Sequence, residues 1–254
     1  MSLVTHLKRS GGEMLSAIQF LTRVPLPSLA YEEDSLSRAV KFFPFVGALI
    51  SGAAALLHLF VVRHFARLPS ALIVLLFLVL ITGCLHEDGL ADAADGFGGG
   101  HNREKILLIL RDSRIGSYGA TALCFSLVGR LILISTLPLA HVGQYLVVAN
   151  VLCRWTTLPL SYFLPAAREN DGQGARVAQL TSRNSLLFAT LFSFALAGYF
   201  LRWQAILPIT AALLVTLLSA RFYKLKIGGI TGDCFGATNQ LTEIAVYFCG
   251  AWVA

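Results

Sequence analysis

His86-Glu87-Asp88-Gly89-Leu90-Ala91-Asp92-Ala93-Ala94-Asp95-Gly96-Phe97-Gly98-Gly99-Gly100 is the stretch on which the reading of this chain turns. It packs four of the fourteen carboxylates into nine residues, directly after an apolar run that reads as a membrane span. If the span continues here as a helix, Asp88, Asp92 and Asp95 recur at i, i+4 and i+7 and share one stripe, with Glu87 about 100° away. An acidic run is most often a solvated helix face. Here the acids abut the end of a span and keep to one side, and like charges gathered in that way call for a cation between them. Oxygen-only ligands favour Mg²⁺, Mn²⁺ or Ca²⁺ over zinc. Glu87, Asp88, Asp92 and Asp95 are therefore the candidate metal ligands, the three aspartates also the candidate catalytic groups. The glycines from Gly96 to Gly100 are poor helix formers, so the chain is expected to leave the acidic face in a mobile or tightly turning loop that closes over phosphates.

Composition places the chain in a membrane. It has 254 residues, 56% of them hydrophobic and 13% charged, with a mean hydropathy of +0.70, outside the ordinary soluble range. The net charge of +6 is dispersed between apolar runs, which argues against nucleic acid as a partner and for membrane lipid. Five cysteines without a CxxC pair give neither a disulfide framework nor zinc spacing.

Along the chain, Met1 to Pro27 is too polar to span. Its Met14, Ile18 and Leu21 lie at helical spacing, so it reads as an amphipathic interfacial helix ended by the prolines of Thr22-Arg23-Val24-Pro25-Leu26-Pro27. Glu32 to Lys41 reads as a charged surface helix or loop. Apolar runs then occupy Phe42–Val62, Ala71–Leu85, Tyr118–Leu139, Val142–Leu164, Ser185–Leu201, Trp203–Ala220 and Leu241–Ala254, seven candidate spans of one all-α polytopic membrane domain covering residues 1–254. Ala71–Leu85 is short for a span, so its helix is expected to run on into the acids. With the N-terminus inside, only Arg63, Arg67 and Arg202 of the twenty Lys and Arg fall outside, and Arg130 and Arg154 fall within spans. That orientation gathers the polar segments 86–117, 165–184 and 221–240 on the cytoplasmic face, the one face with enough polar chemistry for a site.

The segment 221–240 carries a second glycine-rich acidic sequence, Gly228-Gly229-Ile230-Thr231-Gly232-Asp233, followed by Glu243. An aspartate in such a turn is usually a turn former. Topology nevertheless brings Asp233 to the Asp88 side, where it can complete a metal site or orient a nucleophile. Arg111, Asp112 and Arg114, with Gly98, Gly99 and Gly232, form the expected phosphate-binding set, the arginines as forked donors and the glycines through exposed backbone N–H groups. Arg154 in a span needs a partner, in the site or in an ion pair. Carboxylates, a hard metal, arginines and glycine-rich segments at a membrane surface suit phosphoryl transfer, in which two divalent ions about 3.5–4 Å apart neutralise a pyrophosphate and activate a hydroxyl.

These motifs resemble the cobalamin synthase family, the adenosylcobinamide-GDP ribazoletransferases of vitamin B12 biosynthesis. The resemblance runs nearly end to end: Phe20-Leu21-Thr22-Arg23-Val24-Pro25, Phe43-Pro44-Phe45-Val46-Gly47, the stretch from His86 to Gly100, Lys105, Arg111-Asp112-Ser113-Arg114-Ile115-Gly116-Ser117-Tyr118-Gly119 and Gly228 to Asp233. It implies an integral enzyme of the bacterial inner membrane with its site facing the cytoplasm. The implied reaction is Mg²⁺-dependent: alpha-ribazole or its 5′-phosphate joins adenosylcobinamide-GDP, releasing GMP and forming adenosylcobalamin or its 5′-phosphate. A homo-oligomer, or a complex with other cobalamin-assembly enzymes, is left open. CDP-alcohol phosphotransferases also use spaced aspartates at a membrane surface, but their Asp-Gly-x-x-Ala-Arg pattern fails here, where Asp88-Gly89-Leu90-Ala91 is followed by Asp92. A cation transporter would place its acids near the bilayer midplane, not at one surface.

Overall fold

The structure, a computed structural model, describes residues 3–26, 35–168 and 181–252, and these are almost wholly helical. The helix α1 (Leu3–Leu21) follows the amphipathic spacing: it buries Ala17 and Leu21 and stacks Phe20 on Phe43 with ring centroids 5.5 Å apart. Its Glu13 carboxylate receives Arg38 at 3.3 Å, from α2 (Ser35–Ala39), and Lys41 at 2.7 Å. Residues 27–34, which include the start of the charged segment expected from Glu32 to Lys41, lie outside the described residues. Then follow α3 (Phe43–Val61), α4 (Arg67–Thr82), α5 (Leu85–Gly99), α6 (Arg103–Ile109), α7 (Ser117–Thr136), α8 (Val142–Trp155), α9 (Thr157–Phe163), α10 (Arg183–Leu201), α11 (Ile206–Ile227) and α12 (Gly232–Trp252).

The helix α8 is the axis of the packing, buried continuously from Tyr145 to Trp155. Against it lies α3, where Gly47 is the reason for the close approach: a Cβ there would fall 2.9 Å from Arg154 Cδ and still nearer the Asn150 carbonyl. Large apolar side chains such as Leu56, Phe125, Leu191 and Leu217 stand outward, more than 60% exposed. That inverted pattern suits lipid, not water. Among the described residues three helical segments, Leu36–Val61, Ser117–Thr136 and Arg183–Ile227, are long and apolar enough to cross a membrane, and α4 with α5 makes a fourth if that bent pair is one span.

The seven crossings expected from the apolar runs are not confirmed, and the reasons are local. Val142–Leu164 is broken at Thr156 into α8 and the seven-residue α9, and α8 with 14 residues rises only about 21 Å. The last run is the second half of α12, which begins nine residues earlier than expected, at Gly232, with a polar first half. The expected continuation of the second run into the acids also fails. Gly83 and Cys84 both adopt left-handed backbone, at φ 62° and 61°, and α5 leaves α4 at 84°. Gly83 is required there for a second reason, since any side chain would collide with the Arg23 side chain, whose backbone N–H donates to the Ile81 carbonyl at 2.8 Å. The elbow places α5 across the end of α4, outside the three crossing segments.

Two of the expected polar loops are largely helix. Segment 86–117 is mostly α5 and α6, and of 221–240 only 228–231 is not helical. Gly228, at φ 74°, caps α11. Next to it the chain pairs with Ala166–Ala167: Ala167 N–H donates to Ile230 O at 2.9 Å, and Ile230 N–H to Pro165 O at 2.9 Å. Arg103 fastens the junction, donating from Nε to Ile227 O at 2.9 Å and from Nη2 to Ala167 O at 2.8 Å. Residues 169–180, most of the segment 165–184, lie outside the described residues.

Candidate functional site

The site begins with two glycines. A Cβ on Gly89 of α5 would fall 3.1 Å from both Asp233 O and Gly236 Cα, and one on Gly236 of α12 would fall 3.0 Å from Gly89 Cα. With no side chain between them, α5 and α12 cross at backbone contact. That crossing carries Asp233 to the acidic helix across about 140 residues of sequence, and Asp88, Gly232 and Asp233 line one cavity of about 250 Å³ with His86, Arg154 and Asn239. Thr231 Oγ1 donates to Asp233 Oδ2 at 3.2 Å and holds that carboxylate at the head of α12.

Of the acidic stripe, Asp88 is exposed, Asp92 half-buried and Asp95 buried. The three have different surroundings. Asp95 accepts from the backbone N–H groups of Gly116 at 2.6 Å and Gly119 at 2.9 Å, so its charge sits on the orphan donors that open α7. Glu87, expected among the metal ligands, is instead buried against Arg130 of α7: Arg130 Nη2 donates to its Oε1 at 2.7 Å, and Gln240 Nε2 donates to the same oxygen at 3.2 Å. The cause is its position about 100° around the helix from Asp88, which aims it into the bundle. Arg130 also reaches Glu243 Oε2 at 3.3 Å, and Glu243 Oε1 accepts from the Tyr247 hydroxyl at 3.0 Å. This buried network joins α5, α7 and α12 behind the site. The sequence held a signal for it, an arginine within a span and Glu243 at the start of the last apolar run, but not the pairing.

The glycine run also differs from expectation. Gly96 to Gly99 remain helical, and the run lets α6 and α7 close on α5: a Cβ on Gly98 would enter the Tyr118 ring, and one on Gly96 would fall 2.8 Å from Leu110. Gly99 nevertheless borders a second, open cavity of about 450 Å³ with Asp95, Asp112, Arg114 and Tyr118. Arg114 donates to Asp112 from Nη2 at 2.7 Å and from Nε at 2.9 Å, and these hydrogen bonds hold Asp112 down to about 2. Both are exposed to solvent, so a phosphate has access to Arg114 but competes with Asp112. Arg111 is exposed in the same turn. Asp88, Gly232 and Asp233 thus line the first cavity and Asp95, Gly99, Asp112 and Arg114 the open one, while Glu87, Asp92, Gly98 and Arg111 line neither of the two.

Burial raises Asp92 to about 7, followed by the charges of Asp233, Asp88 and Asp95. Asp233 is raised as well, by burial first, against the Thr231 hydrogen bond. Burial, then Arg154 and Arg130, drives His86 well below its usual value and keeps the imidazole neutral. Among the described residues no three His, Cys, Asp or Glu side chains are gathered tightly enough to hold an ion by themselves. Asp88, Asp92 and Asp233 fit Mg²⁺ in another way. The ion is usually bound by one or two carboxylates, completed by waters and substrate phosphates, and a cation here would offset the burial and the neighbouring carboxylates that raise Asp92.

Comparison with known proteins bears on what this arrangement serves. No solved structure matches the chain. An adenosylcobinamide-GDP ribazoletransferase of Vibrio cholerae serotype O1 is 35% identical over 237 residues, covering 92% of this chain and 90% of the relative. The same-named proteins of Ralstonia nicotianae and Sinorhizobium sp are 35% and 38% identical, covering 96% and 92% of this chain and 96% and 94% of their own lengths. The family described as cobalamin-5-phosphate synthase matches residues 13–251, a span that holds the Gly89–Gly236 crossing, both cavities and the Arg130 network, and the chain belongs to that family.

Proposed function

We propose that the chain catalyses the Mg²⁺-dependent transfer that joins adenosylcobinamide-GDP to alpha-ribazole or its 5′-phosphate. The ribazole 3′-hydroxyl attacks the phosphorus nearer cobinamide, a new P–O bond forms as the bridging P–O bond of the pyrophosphate breaks, and GMP departs. The observation that carries this reading is the Gly89–Gly236 crossing, which sets Asp233 beside Asp88 and Asp92. A two-substrate displacement needs groups for the nucleophile as well as for the pyrophosphate. Asp88 and Asp92 would hold Mg²⁺, which when bound supplies positive charge to the pyrophosphate and to departing GMP. Asp233, fixed by Thr231 and raised in proton affinity, orients the hydroxyl and takes its proton. Neutral His86 adds no charge to the cavity. Arg114 and the open cavity beside Gly99 receive the diphosphate from the solvent side.

The site faces the cytoplasm of a bacterial inner membrane. Supporting that orientation, Arg63 and Arg67 flank the α3–α4 turn and Arg202 the α10–α11 turn, leaving the far side poor in basic residues. Purified protein incubated with both substrates and Mg²⁺ should yield GMP and a cobalamin or its phosphate by mass spectrometry. Release of CMP from a CDP-alcohol, or cation uptake without GMP, would overturn the reading.

A further inference from the structure

The cavity lined by Asp88 and Asp233 contains a charge that the metal chemistry does not use. Arg154 of α8 is buried at 3% exposure, and Nη1 donates to Asn150 O at 3.1 Å and Oδ1 at 2.8 Å, both neutral acceptors. Among the described residues its Nε has no hydrogen-bond partner and no carboxylate forms an ion pair with it. A buried guanidinium without an anion is costly, and this one is held in place by the bare Gly47 beneath its stem. In the same cavity Asn239 Oδ1 is a buried acceptor without a donor, its amide nitrogen being used by Phe235 O at 2.9 Å. The apolar wall includes the stacked Phe20–Phe43 pair, with ring planes 12° apart, and Phe235.

We propose that this cavity is the subsite for the nucleoside acceptor, with Arg154 binding its phosphate. This deepens the reaction proposed above and rests on it for the identity of the acceptor. A volume of about 250 Å³ suits one nucleotide and is far too small for a corrin ring. The flat base meets Phe20, Phe43 and Phe235, a ribose hydroxyl donates to Asn239 Oδ1, and the 5′-phosphate supplies the missing anion at Arg154. Arg154 is buried whereas Asp88 is exposed, so the phosphate lies deep and the reacting hydroxyl is left toward Asp88 and Asp233.

Calorimetric titration of the full chain in detergent tests the assignment without requiring turnover. Arg154→Gln should weaken binding of alpha-ribazole 5′-phosphate at least about tenfold, which is 1.4 kcal/mol, with a smaller effect on alpha-ribazole and none on adenosylcobinamide-GDP. Phe20→Ala, on the outer helix α1, should weaken both ribazole forms alike, and it decides the matter if Arg154→Gln does not fold. Ribazole binding untouched by either folded variant, or a loss that falls on GMP or adenosylcobinamide-GDP instead, would overturn the subsite. Intact ribazole phosphate binding at Arg154 without GMP release by the wild type would sink the proposed reaction and leave the subsite standing.

Discussion

The helix α5 meets α7 and α12 with the same kind of side chain, and the two junctions answer its charge differently. Against α7, Asp95 caps the helix N-terminus through Gly116 and Gly119, and Glu87 pairs with buried Arg130. Against α12, Asp92 finds Asp233 as a neighbour and is raised to about 7 by burial and by other carboxylates. A carboxylate whose charge is met by the protein stabilises the fold. One left facing its own kind makes a place for a cation. The spacing i, i+4, i+7 cannot separate the two, because what distinguishes Asp92 from Asp95 is the helix that arrives opposite each.

The widest separation between the junctions should appear in turnover. Asp88→Asn and Asp92→Asn should lower GMP release by about 10³-fold or more at saturating Mg²⁺, with unchanged membrane insertion, because several kcal/mol of charge stabilisation is lost. Near-normal rates in either variant would erase the contrast. On the α7 side the expected loss is in folding. Arg130→Met leaves Glu87 and Glu243 buried and unpaired and should destabilise by about 3–5 kcal/mol, read as lost folded yield or a lowered Tm, and Glu87→Gln in the same chain should recover part of it. Asp95→Asn, which weakens charged hydrogen bonds to two backbone N–H groups, should cost about 1.5–3 kcal/mol in the same assay. Glu87→Gln alone should leave the Mg²⁺ concentration for half-maximal rate unchanged, and a shift there would return Glu87 to the metal site.

The smallest effect is in pH, because Asp92 is only half-buried and solvent screens its interactions. Without Mg²⁺, Asp92 holds its proton in the folded chain up to about 7, whereas in the unfolded chain it ionises near 3.8. The folded state therefore binds more protons between those values. The Asp92 contribution is complete below about 3.8 and is lost as pH rises through about 7. In EDTA the Tm should fall gently across that interval, less so in Asp92→Asn or with Mg²⁺ present.

Much of this was legible in the sequence. The acidic stripe, its helix and the membrane setting follow from spacing and composition, and Asp233 was reached by charge-based topology. The 84° elbow was not, because apolar periodicity runs through Gly83 without a break and the turn depends on left-handed backbone there and at Cys84. The Gly96–Gly99 run misled in the opposite direction: helix propensity disfavours glycine, but tertiary packing against Leu110 and Tyr118 outweighs it. The commitment of Glu87 and Asp95 to α7 depends on partners 43 and 21 to 24 residues away, distances no local pattern encodes.

The most direct test of a single site shared by α5 and α12 is an Mg²⁺ titration of GMP release by Asp233→Asn. Asparagine keeps the turn chemistry at the head of α12 and removes only the charge. Turnover at least about 100-fold below wild type, in a chain with unchanged Tm, is the expected result. Full turnover with an unchanged Mg²⁺ dependence would make Asp233 a turn residue and leave the α5–α12 crossing without a part in the chemistry.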